Sequence, residues 1–301
     1  MNMKVDLCGV ILNNPVMTAS GTFGSGAEYA EFVDLNKLGA VGTKGVANVP
    51  WPGNPTPRVA EVYGGMLNAV GLQNPGIDLF VERDIPFLKQ FDTKIMVNVC
   101  GHSTEEYIEV VERLRDQPVD LLEINISCPN VKEGGIAFGQ DPKAVEAITK
   151  EMKKHAAQPV IMKLSPNVTD ITEMARAAEA GGADGLSLIN TITGMKIDIN
   201  RQKFVLANKT GGMSGPAIHP VAVRMVYQTA QAVRLPIVGM GGIMNAEDAI
   251  EMILAGATAV SVGTANFTNP HVTEEIVAGI KDYMERYQVA DIKDLVGAVH
   301  E

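Results

Sequence analysis

The segment LLEINISCPNVKEGG, residues 121–135, begins as an apolar strand pattern and ends as a polar loop. Cys128 stands between the two halves, beside Ser127 and close to Asn125 and Asn130. A structural cysteine is normally buried among apolar side chains, whereas a cysteine in such a loop can meet a small molecule. A free thiol titrates at roughly 8.5, so a small fraction is thiolate at neutral pH, enough for a base or nucleophile. We therefore predict Cys128 as the catalytic residue.

The other cysteines and the histidines add few alternatives. No His–Asp order near Cys128 indicates a hydrolase triad, although His102 and His219 stay open as partners, and His102 is interpreted as a loop residue. Cys8 and Cys100 are interpreted as small hydrophobic residues. Three cysteines without a CxxC do not indicate a disulfide framework, a zinc site or a four-cysteine cluster. We predict no metal site and a reducing, cytoplasmic environment.

Two lysines follow apolar strand patterns, Lys44 after AVGT and Lys163 after PVIM. A lysine at the rim of an apolar core needs an anionic partner or a ligand. Polar side chains or glycines stand at the same point of the other strand patterns: Ser20, Asn98, Asn125, Asn190, Gly241–Gly242 and Gly263–Thr264. Such residues also gather at strand ends because chains turn there. Taken together, they predict a functional cluster.

Glycines mark a second kind of site. The stretches GMGGIMNAEDA and SVGTANF hold glycines where backbone N–H groups can point at a phosphate, and GGMSGP, residues 211–216, adds a third set. Gly239-x-Gly241 resembles the start of a dinucleotide motif, but Met244 replaces its third glycine, so one phosphate fits better than a pyrophosphate. The alternative is that these glycines only permit tight turns.

The elements that must position these residues alternate between short apolar runs and helical patterns. Eight strands are predicted: 16–21, 40–45, 94–101, 121–127, 159–166, 185–191, 236–242 and 259–265. Helices are predicted over 103–117, where Ser103 and Glu106 form a capping-box pattern, and over 169–182. Eight strands with intervening helices predict an α/β fold, a (β/α)8 TIM barrel with an inserted loop after strand 2, between Val46 and Pro75. An open doubly wound sheet is the rival fold.

Composition agrees with one well-cored domain over residues 1–301. The chain is 46% hydrophobic and carries a net charge of −10, which argues against a nucleic-acid surface. No run reaches the roughly 18 uncharged apolar residues of a membrane helix. The N-terminus has an acidic residue inside its short apolar stretch and is not expected to be a signal peptide.

The motifs INISCPN, NAVGLQNPG, VMTASGTFG, MKLSP, LINT, GGMSGP and GMGGI…SVGTANF together resemble the class 1 dihydroorotate dehydrogenases, most closely the catalytic subunit of class 1B. The resemblance covers nearly the whole chain. It implies an FMN-containing barrel that oxidises dihydroorotate to orotate in pyrimidine biosynthesis. It also implies that Cys128 takes a proton from C5 while a hydride leaves C6 for flavin N5.

The resemblance assigns the remaining positions. The residues expected to contact one FMN per chain are Ser20, Lys44, Gly45, Asn98, Asn125, Lys163, Ile189 and Gly215, with Gly241, Gly242, Gly263 and Thr264 around its phosphate. The residues expected to contact substrate are Lys44, Asn68, Ala69, Val70, Gly71, Leu72, Asn125, Asn130, Asn190 and Thr191. Lys163 is expected to stabilise negative charge on the reduced flavin. Amides suit the substrate because a ring of N–H and C=O edges needs both donors and acceptors.

A class 1B enzyme implies a partner. Electrons are expected to pass to NAD through an iron–sulfur flavoprotein subunit that carries FAD and a 2Fe–2S cluster, around a homodimer core within a heterotetramer. This chain has too few cysteines for that cluster. Trp51 and the prolines of residues 46–57 are expected either at that interface or in a solvated loop. No nucleic acid or membrane partner is expected.

Three alternatives stay open at this point. The enzyme could resemble class 1A and use fumarate. A flavin barrel could act on another dihydropyrimidine, such as the reduced form of uracil or thymine. A phosphate-binding barrel could work without redox chemistry, as an isomerase, a lyase or a phospholigand binder.

Overall fold

Eight short parallel strands close into a barrel in the computed structural model, which describes residues 1–127 and 136–300 (the side chains of 136 and 137 excepted). In chain order, barrel strands 1 to 8 are Val16–Thr18, Ala40–Gly42, Lys94–Val99, Leu121–Asn125, Val160–Lys163, Gly185–Leu188, Ile237–Met240 and Ala259–Val262. Each strand pairs with its neighbours in sequence, and strand 8 pairs with strand 1. Nearly every strand residue is buried, as expected for parallel strands covered on both faces. The predicted (β/α)8 fold is confirmed.

Helices surround the barrel. The α-helices are Ile77–Leu79, Ile85–Leu88, Thr104–Leu114, Ile136–Gly139, Pro142–His155, Ile171–Ala180, His219–Ala232, Ala246–Ala255, Ala265–Thr268 and Val272–Arg286. Short 3-10 helices span Tyr29–Glu31, Leu35–Lys37, Pro216–Ile218 and Ile292–Leu295, and one π-helix spans Phe80–Asp84.

Local side-chain caps explain where two predicted helices begin. Ser103 Oγ accepts a hydrogen bond from Glu106 N at 3.4 Å, as the capping-box pattern predicts. The Glu106 carboxylate, however, accepts from His102 N at 2.7 Å, one residue before the cap. Asp170 caps the next helix by accepting from Thr172 N at 2.8 Å. Both helices are shorter than their predicted spans.

The insertion after strand 2 is more ordered than a loop. It contains the antiparallel hairpin Val59–Val62 and Gly65–Asn68, which turns at Gly64 with φ +70°. Gly65–Asn68 also pairs with Thr210–Ser214, which in turn pairs with Ile192–Met195, both from the segment after strand 6. We call this four-stranded sheet the cap sheet. Two separate insertions therefore build one structure above the barrel.

Two smaller hairpins complete the described strands. Val5–Leu7 pairs with Val10–Leu12, and Ile197–Asp198 pairs with Lys203–Phe204. The turn of the first hairpin lies against the amino end of strand 6, since a Cβ placed on Gly185 would meet Cys8 Sγ at 2.7 Å.

In the part of the chain that the structure describes, no helix combines the length and the apolar character needed to span a membrane.

Candidate active site

A cavity of ≈ 440 Å³ opens at the carboxyl ends of the barrel strands, beneath the cap sheet. Active sites of such barrels lie at this end, and the volume falls within the range of roughly 300–1,000 Å³ usual for small-molecule sites. The predicted residues that line it are Ser20, Lys44, Asn68, Val70, Gly71, Leu72, Asn125, Lys163, Ile189, Asn190, Thr191, Gly215, Gly241, Gly242, Gly263 and Thr264. Residues from all parts of the chain thus meet at one place.

The remaining predicted residues fall into two groups. Gly45, Asn98 and Ala69 lie behind the lining: Asn98 and Ala69 are fully buried, and a Cβ on Gly45 would meet Asn98 Oδ1 at 3.2 Å. Cys128 and Asn130 lie outside the described residues. Their predicted roles stay predictions.

A buried polar cluster supports the floor of the cavity. Asn98 and Glu123 pair across strands 3 and 4, and Asn125 and Lys163 pair one level nearer the cavity, across strands 4 and 5. Glu123 Oε2 accepts from Asn98 Nδ2 at 2.5 Å and lies 3.5 Å from Lys163 Nζ. Asn98 Oδ1 accepts from Asn125 Nδ2 at 3.2 Å. The charge of Lys163 is therefore held at the floor by a carboxylate beneath it.

Glu123 is a site residue that the sequence interpretation missed. Both its side chain and that of Lys163 are almost fully buried, at 1% and 5% exposure. Its other oxygen, Oε1, has no hydrogen-bond partner among the described residues. A signal existed in the sequence, because a carboxylate in the middle of the strand LLEIN needs a buried cationic partner.

The polar cluster continues from strand 4 to the loop after strand 6. Ser127 is fully buried, and its Oγ donates to Asn125 Oδ1 at 3.1 Å and accepts from Asn190 Nδ2 at 2.8 Å. Asn190 Oδ1 accepts from the Thr191 backbone N–H at 2.7 Å. The Tyr107 hydroxyl donates to Asn125 O at 2.6 Å. Two of the predicted ligand amides, Asn125 at the end of strand 4 and Asn190 in the loop after strand 6, are thereby joined through Ser127.

Residues 68–72 form one wall, held from behind by two asparagines. Asn54 Nδ2 donates to Ala69 O, and Asn74 Nδ2 donates to Leu72 O at 2.8 Å. Leu72 has φ +52°, in the left-handed region that a bulky side chain rarely adopts. The surroundings therefore impose this conformation, which keeps Leu72 in the lining.

The opposite wall is built from close backbone approaches. Gly242 has φ +70°, and a Cβ there would lie 2.7 Å from His219 Cβ and 2.8 Å from Gly215 O. Gly241 has φ +126°, and a Cβ there would lie 2.8 Å from Ala222 Cβ. Thr264 Oγ1 donates to Ser214 Oγ at 2.7 Å. Glycine is thus required at 241 and 242 by packing, and no side chain of these two residues covers the backbone at the cavity.

Gly263 differs from these glycines. It lines the cavity, but a Cβ there would meet Ala19 Cβ at 3.5 Å and Thr22 at 3.8 Å, which are ordinary contacts. The fold therefore has room for a Cβ at 263, and that Cβ would border the cavity.

The histidines do not form a triad with a cysteine among the described residues. His219 Nδ1 donates to Gly241 O at 2.9 Å, and its Nε2 lies 3.1 Å from Glu251 Oε2. His219, Asp248 and Glu251 offer three ligand atoms within 4.8 Å, a grouping that the sequence interpretation did not single out. His102 stacks on Trp51 with ring centroids 3.9 Å apart and pairs with Glu106.

Trp51 and the free cysteines take structural positions. Trp51 is only 9% exposed and packs with Ala47, Cys100 and Leu72, so the expectation of a solvated side chain is corrected. A partner interface at residues 46–57 stays a prediction. Burial, followed by the charges of Asp184 and Asp6, raises the pKa of Cys8 to about 12, so its thiol stays protonated. Both cysteines pack against hydrophobic residues, which agrees with their interpretation as small hydrophobic residues.

The fold and the cavity together define a (β/α)8-barrel protein with a site for a small ligand, built from lysines, amides and a glycine-rich wall. The family model for dihydroorotate dehydrogenase matches residues 2–284 of this chain. The chain belongs to the dihydroorotate dehydrogenase family, and the resemblance predicted from its motifs is confirmed.

Curated relatives narrow the comparison. The chain is 72% identical to a protein of Lachnoclostridium phytofermentans, over 99% of this chain and 100% of the relative. It is 65% identical to one of Alkaliphilus metalliredigens, over 99% of both. Both are named dihydroorotate dehydrogenase B (NAD(+)), catalytic subunit. A solved structure of DHODH from Eimeria tenella, in complex with ferulenol, has a TM-score of 0.83 at 22% identity, over 99% of this chain and 88% of that one. That structure supports the fold.

Proposed function

We propose that this protein is the catalytic subunit of an NAD-linked, FMN-dependent dihydroorotate dehydrogenase that acts in pyrimidine biosynthesis. The observation that carries the proposal is the meeting of two lysines and three asparagines, Asn68, Asn125 and Asn190, in one cavity with a glycine-rich wall. Full-length relatives at 65–72% identity carry the corresponding name. An anionic substrate with amide edges and a phosphate-bearing cofactor both suit these groups.

The residues present fit FMN. A phosphate suits the backbone N–H groups of Gly241, Gly242 and Gly263 together with the Thr264 hydroxyl, because such groups supply N–H and O–H donors without side-chain bulk. The apolar side chains of Ile189, Met240 and Met244 suit the faces of a flat ring. We propose that residues 1–301 form a single FMN-binding domain. When bound, FMN supplies the two-electron acceptor for the hydride that leaves substrate C6.

The chain's own residues would hold the substrate and its charge. Asn68, Asn125 and Asn190 offer N–H donors and C=O acceptors to the pyrimidine ring, and Lys44 offers a cation to the carboxylate. Lys163 holds a second positive charge at the floor, which favours negative charge developing above it.

Cys128 is proposed as the base. Its thiolate removes a proton from C5, the C6 hydride leaves in the same oxidation, and the C5=C6 double bond of orotate forms. Support comes from its neighbours, because Ser127 and Asn125 are fixed at the cavity floor and Cys128 follows directly. The base then returns its proton to water.

Electron transfer onward is proposed to use a partner. The words catalytic subunit and NAD(+) in the names of the relatives support an iron–sulfur flavoprotein partner carrying FAD and a 2Fe–2S cluster. A homodimer core within a heterotetramer, located in the cytoplasm, is the proposed assembly. Purification from the native host without a tag should yield this chain together with such a flavoprotein, whereas recovery of this chain alone in active, NAD-reducing form would contradict the partner proposal.

The function is tested with orotate and uracil on the FMN-loaded protein. Orotate should perturb the flavin absorbance and inhibit dihydroorotate oxidation, whereas uracil should do so only at much higher concentration, because it lacks the carboxylate that Lys44 is proposed to bind. Equal binding of both would favour another dihydropyrimidine as substrate. Failure to take up FMN would contradict the proposal altogether.

A further inference from the structure

The polar cluster under the cavity is a continuous chain of hydrogen bonds with two fixed ends. At one end, the Glu123 carboxylate can only accept, so Asn98 must present its NH2 group to it. Asn98 then presents Oδ1 to Asn125 Nδ2. At the other end, the Thr191 backbone N–H can only donate, so Asn190 must present Oδ1 to it.

Ser127 is the link between the two halves. Its hydroxyl is both donor and acceptor, and it donates to Asn125 Oδ1 while it accepts from Asn190 Nδ2. The backbone N–H of Ser127 also donates to Asn125 Oδ1 at 3.3 Å. Asn125 therefore has a second donor that would keep its orientation if the hydroxyl were lost. The Asn190 NH2 group, by contrast, donates to the Ser127 hydroxyl and would lose this acceptor.

We propose that Ser127 is a positioning residue for ligand recognition: the Thr191 backbone N–H fixes which way the Asn190 amide faces, and the buried Ser127 hydroxyl holds its NH2 group in place, with one Nδ2 hydrogen bonded to Ser127 and the second left for the ligand. The inference rests on the proposed function, since it takes Asn190 as a ligand contact. It assigns to Ser127 a role distinct from that of a base or a cofactor contact. The hydroxyl acts through the amide and does not itself line the cavity.

A role in folding alone makes a different prediction. Ser127 is fully buried, so removal of its hydroxyl would lower the free energy of unfolding whatever its effect on ligand binding. Ser187, on barrel strand 6, offers a control because it is fully buried like Ser127, but its Oγ has no hydrogen-bond partner among the described residues. Ser187→Ala also removes a buried hydroxyl oxygen, but it breaks none of the hydrogen bonds that link Glu123 to Thr191.

The test is a double-mutant cycle on the FMN-loaded protein, with orotate titrated and the flavin absorbance recorded. Ser127→Ala should raise the Kd of orotate roughly tenfold, equivalent to about 1.4 kcal/mol, while FMN content stays that of the wild type. Asn190→Ala should raise the Kd at least as much. Because Ser127 acts through Asn190, the double variant should match Asn190→Ala within about twofold. Ser187→Ala should leave the Kd of the wild type unchanged, and added to Asn190→Ala it should leave the Kd of that variant unchanged.

The outcomes separate the inference from the proposed function. An unchanged orotate Kd in Ser127→Ala overturns the inference while the proposed function stands. The same follows if the double variant's rise in Kd equals the product of the rises in Ser127→Ala and Asn190→Ala. The same holds if Ser187→Ala weakens orotate as strongly as Ser127→Ala does. Wild-type protein that binds FMN but not orotate overturns the proposed function and the inference together.

Discussion

Removal of the Glu123 charge should destabilise the fold far more than removal of a surface carboxylate. At 3.5 Å and an effective dielectric constant of about 20, the Glu123 and Lys163 charges attract each other by about 5 kcal/mol. Desolvation offsets much of this while both partners are present. Glu123→Gln removes the negative charge that compensates Lys163 and leaves its ammonium group buried without a counter-charge. We expect this to lower the free energy of unfolding by about 3–5 kcal/mol. The carbonyl of glutamine can still accept from Asn98, so the loss is mainly one of charge.

Urea unfolding of the FMN-free protein, followed by circular dichroism, measures this cost. Glu146→Gln is the control, because Glu146 forms an exposed ion pair with Lys150, and should lose less than about 1 kcal/mol. Glu123→Gln combined with Lys163→Met removes both charges and should recover most of the loss. A Glu123→Gln protein as stable as Glu146→Gln would refute the assignment of Glu123 as the counter-charge of Lys163.

Three further predictions follow from the geometry. Gly263→Ala should fold with wild-type stability but bind FMN less tightly in a fluorescence titration, since its methyl meets only ordinary contacts yet borders the cavity; unchanged affinity would contradict the proposed role of Gly263 at the FMN phosphate. Gly242→Ala should instead lower the melting temperature before any ligand is added, because φ +70° and the 2.7 Å approach to His219 exclude a Cβ. The pKa of Cys8 is raised from 9.0 to about 12 in the folded chain, so above pH 9 the folded chain keeps a proton that the unfolded chain releases. The free energy of unfolding should therefore fall as the pH rises from about 9 to 12. Cys8→Ser should lose that part of the alkaline slope, and an identical slope would contradict the assignment.

The barrel could be predicted because its strands are buried on both faces. Each is a short apolar run with no alternation, followed by a polar residue or glycine, and the count of eight with intervening helices indicates closure. The convergence of Lys44, Asn125 and Lys163 follows from that topology alone, since carboxyl ends of parallel strands share one end of a barrel.

The cap sheet could not be predicted in the same way. Gly65–Asn68 pairs with Thr210–Ser214, far along the chain, and neither segment has a local signal for such a partner. Long-range antiparallel pairing depends on where the barrel brings its loops, which only the closed fold determines. For this reason the insertion after strand 2 was predicted as a loop.

The buried polar groups were only partly predictable. Glu123 lies inside an apolar strand and was taken as part of the strand, although its partner Lys163 was recognised from the same reasoning about buried charge. For Trp51 the sequence left open a partner interface or a solvated loop, and the structure stacks its ring on His102. In both cases the sequence shows the residue type, whereas the partner comes from a distant segment.

In the proposed reaction, one cavity brings a hydride acceptor, a base and the substrate amides together. Anaerobic addition of dihydroorotate to the FMN-loaded protein tests it most directly, with flavin absorbance and orotate formation recorded in wild type and in Cys128→Ala. We expect the wild type to lose its oxidised flavin absorbance as orotate appears, and Cys128→Ala to bind FMN normally but react at least about a hundredfold more slowly at neutral pH. Wild-type rates in Cys128→Ala, or a flavin that dihydroorotate leaves oxidised, would contradict the account.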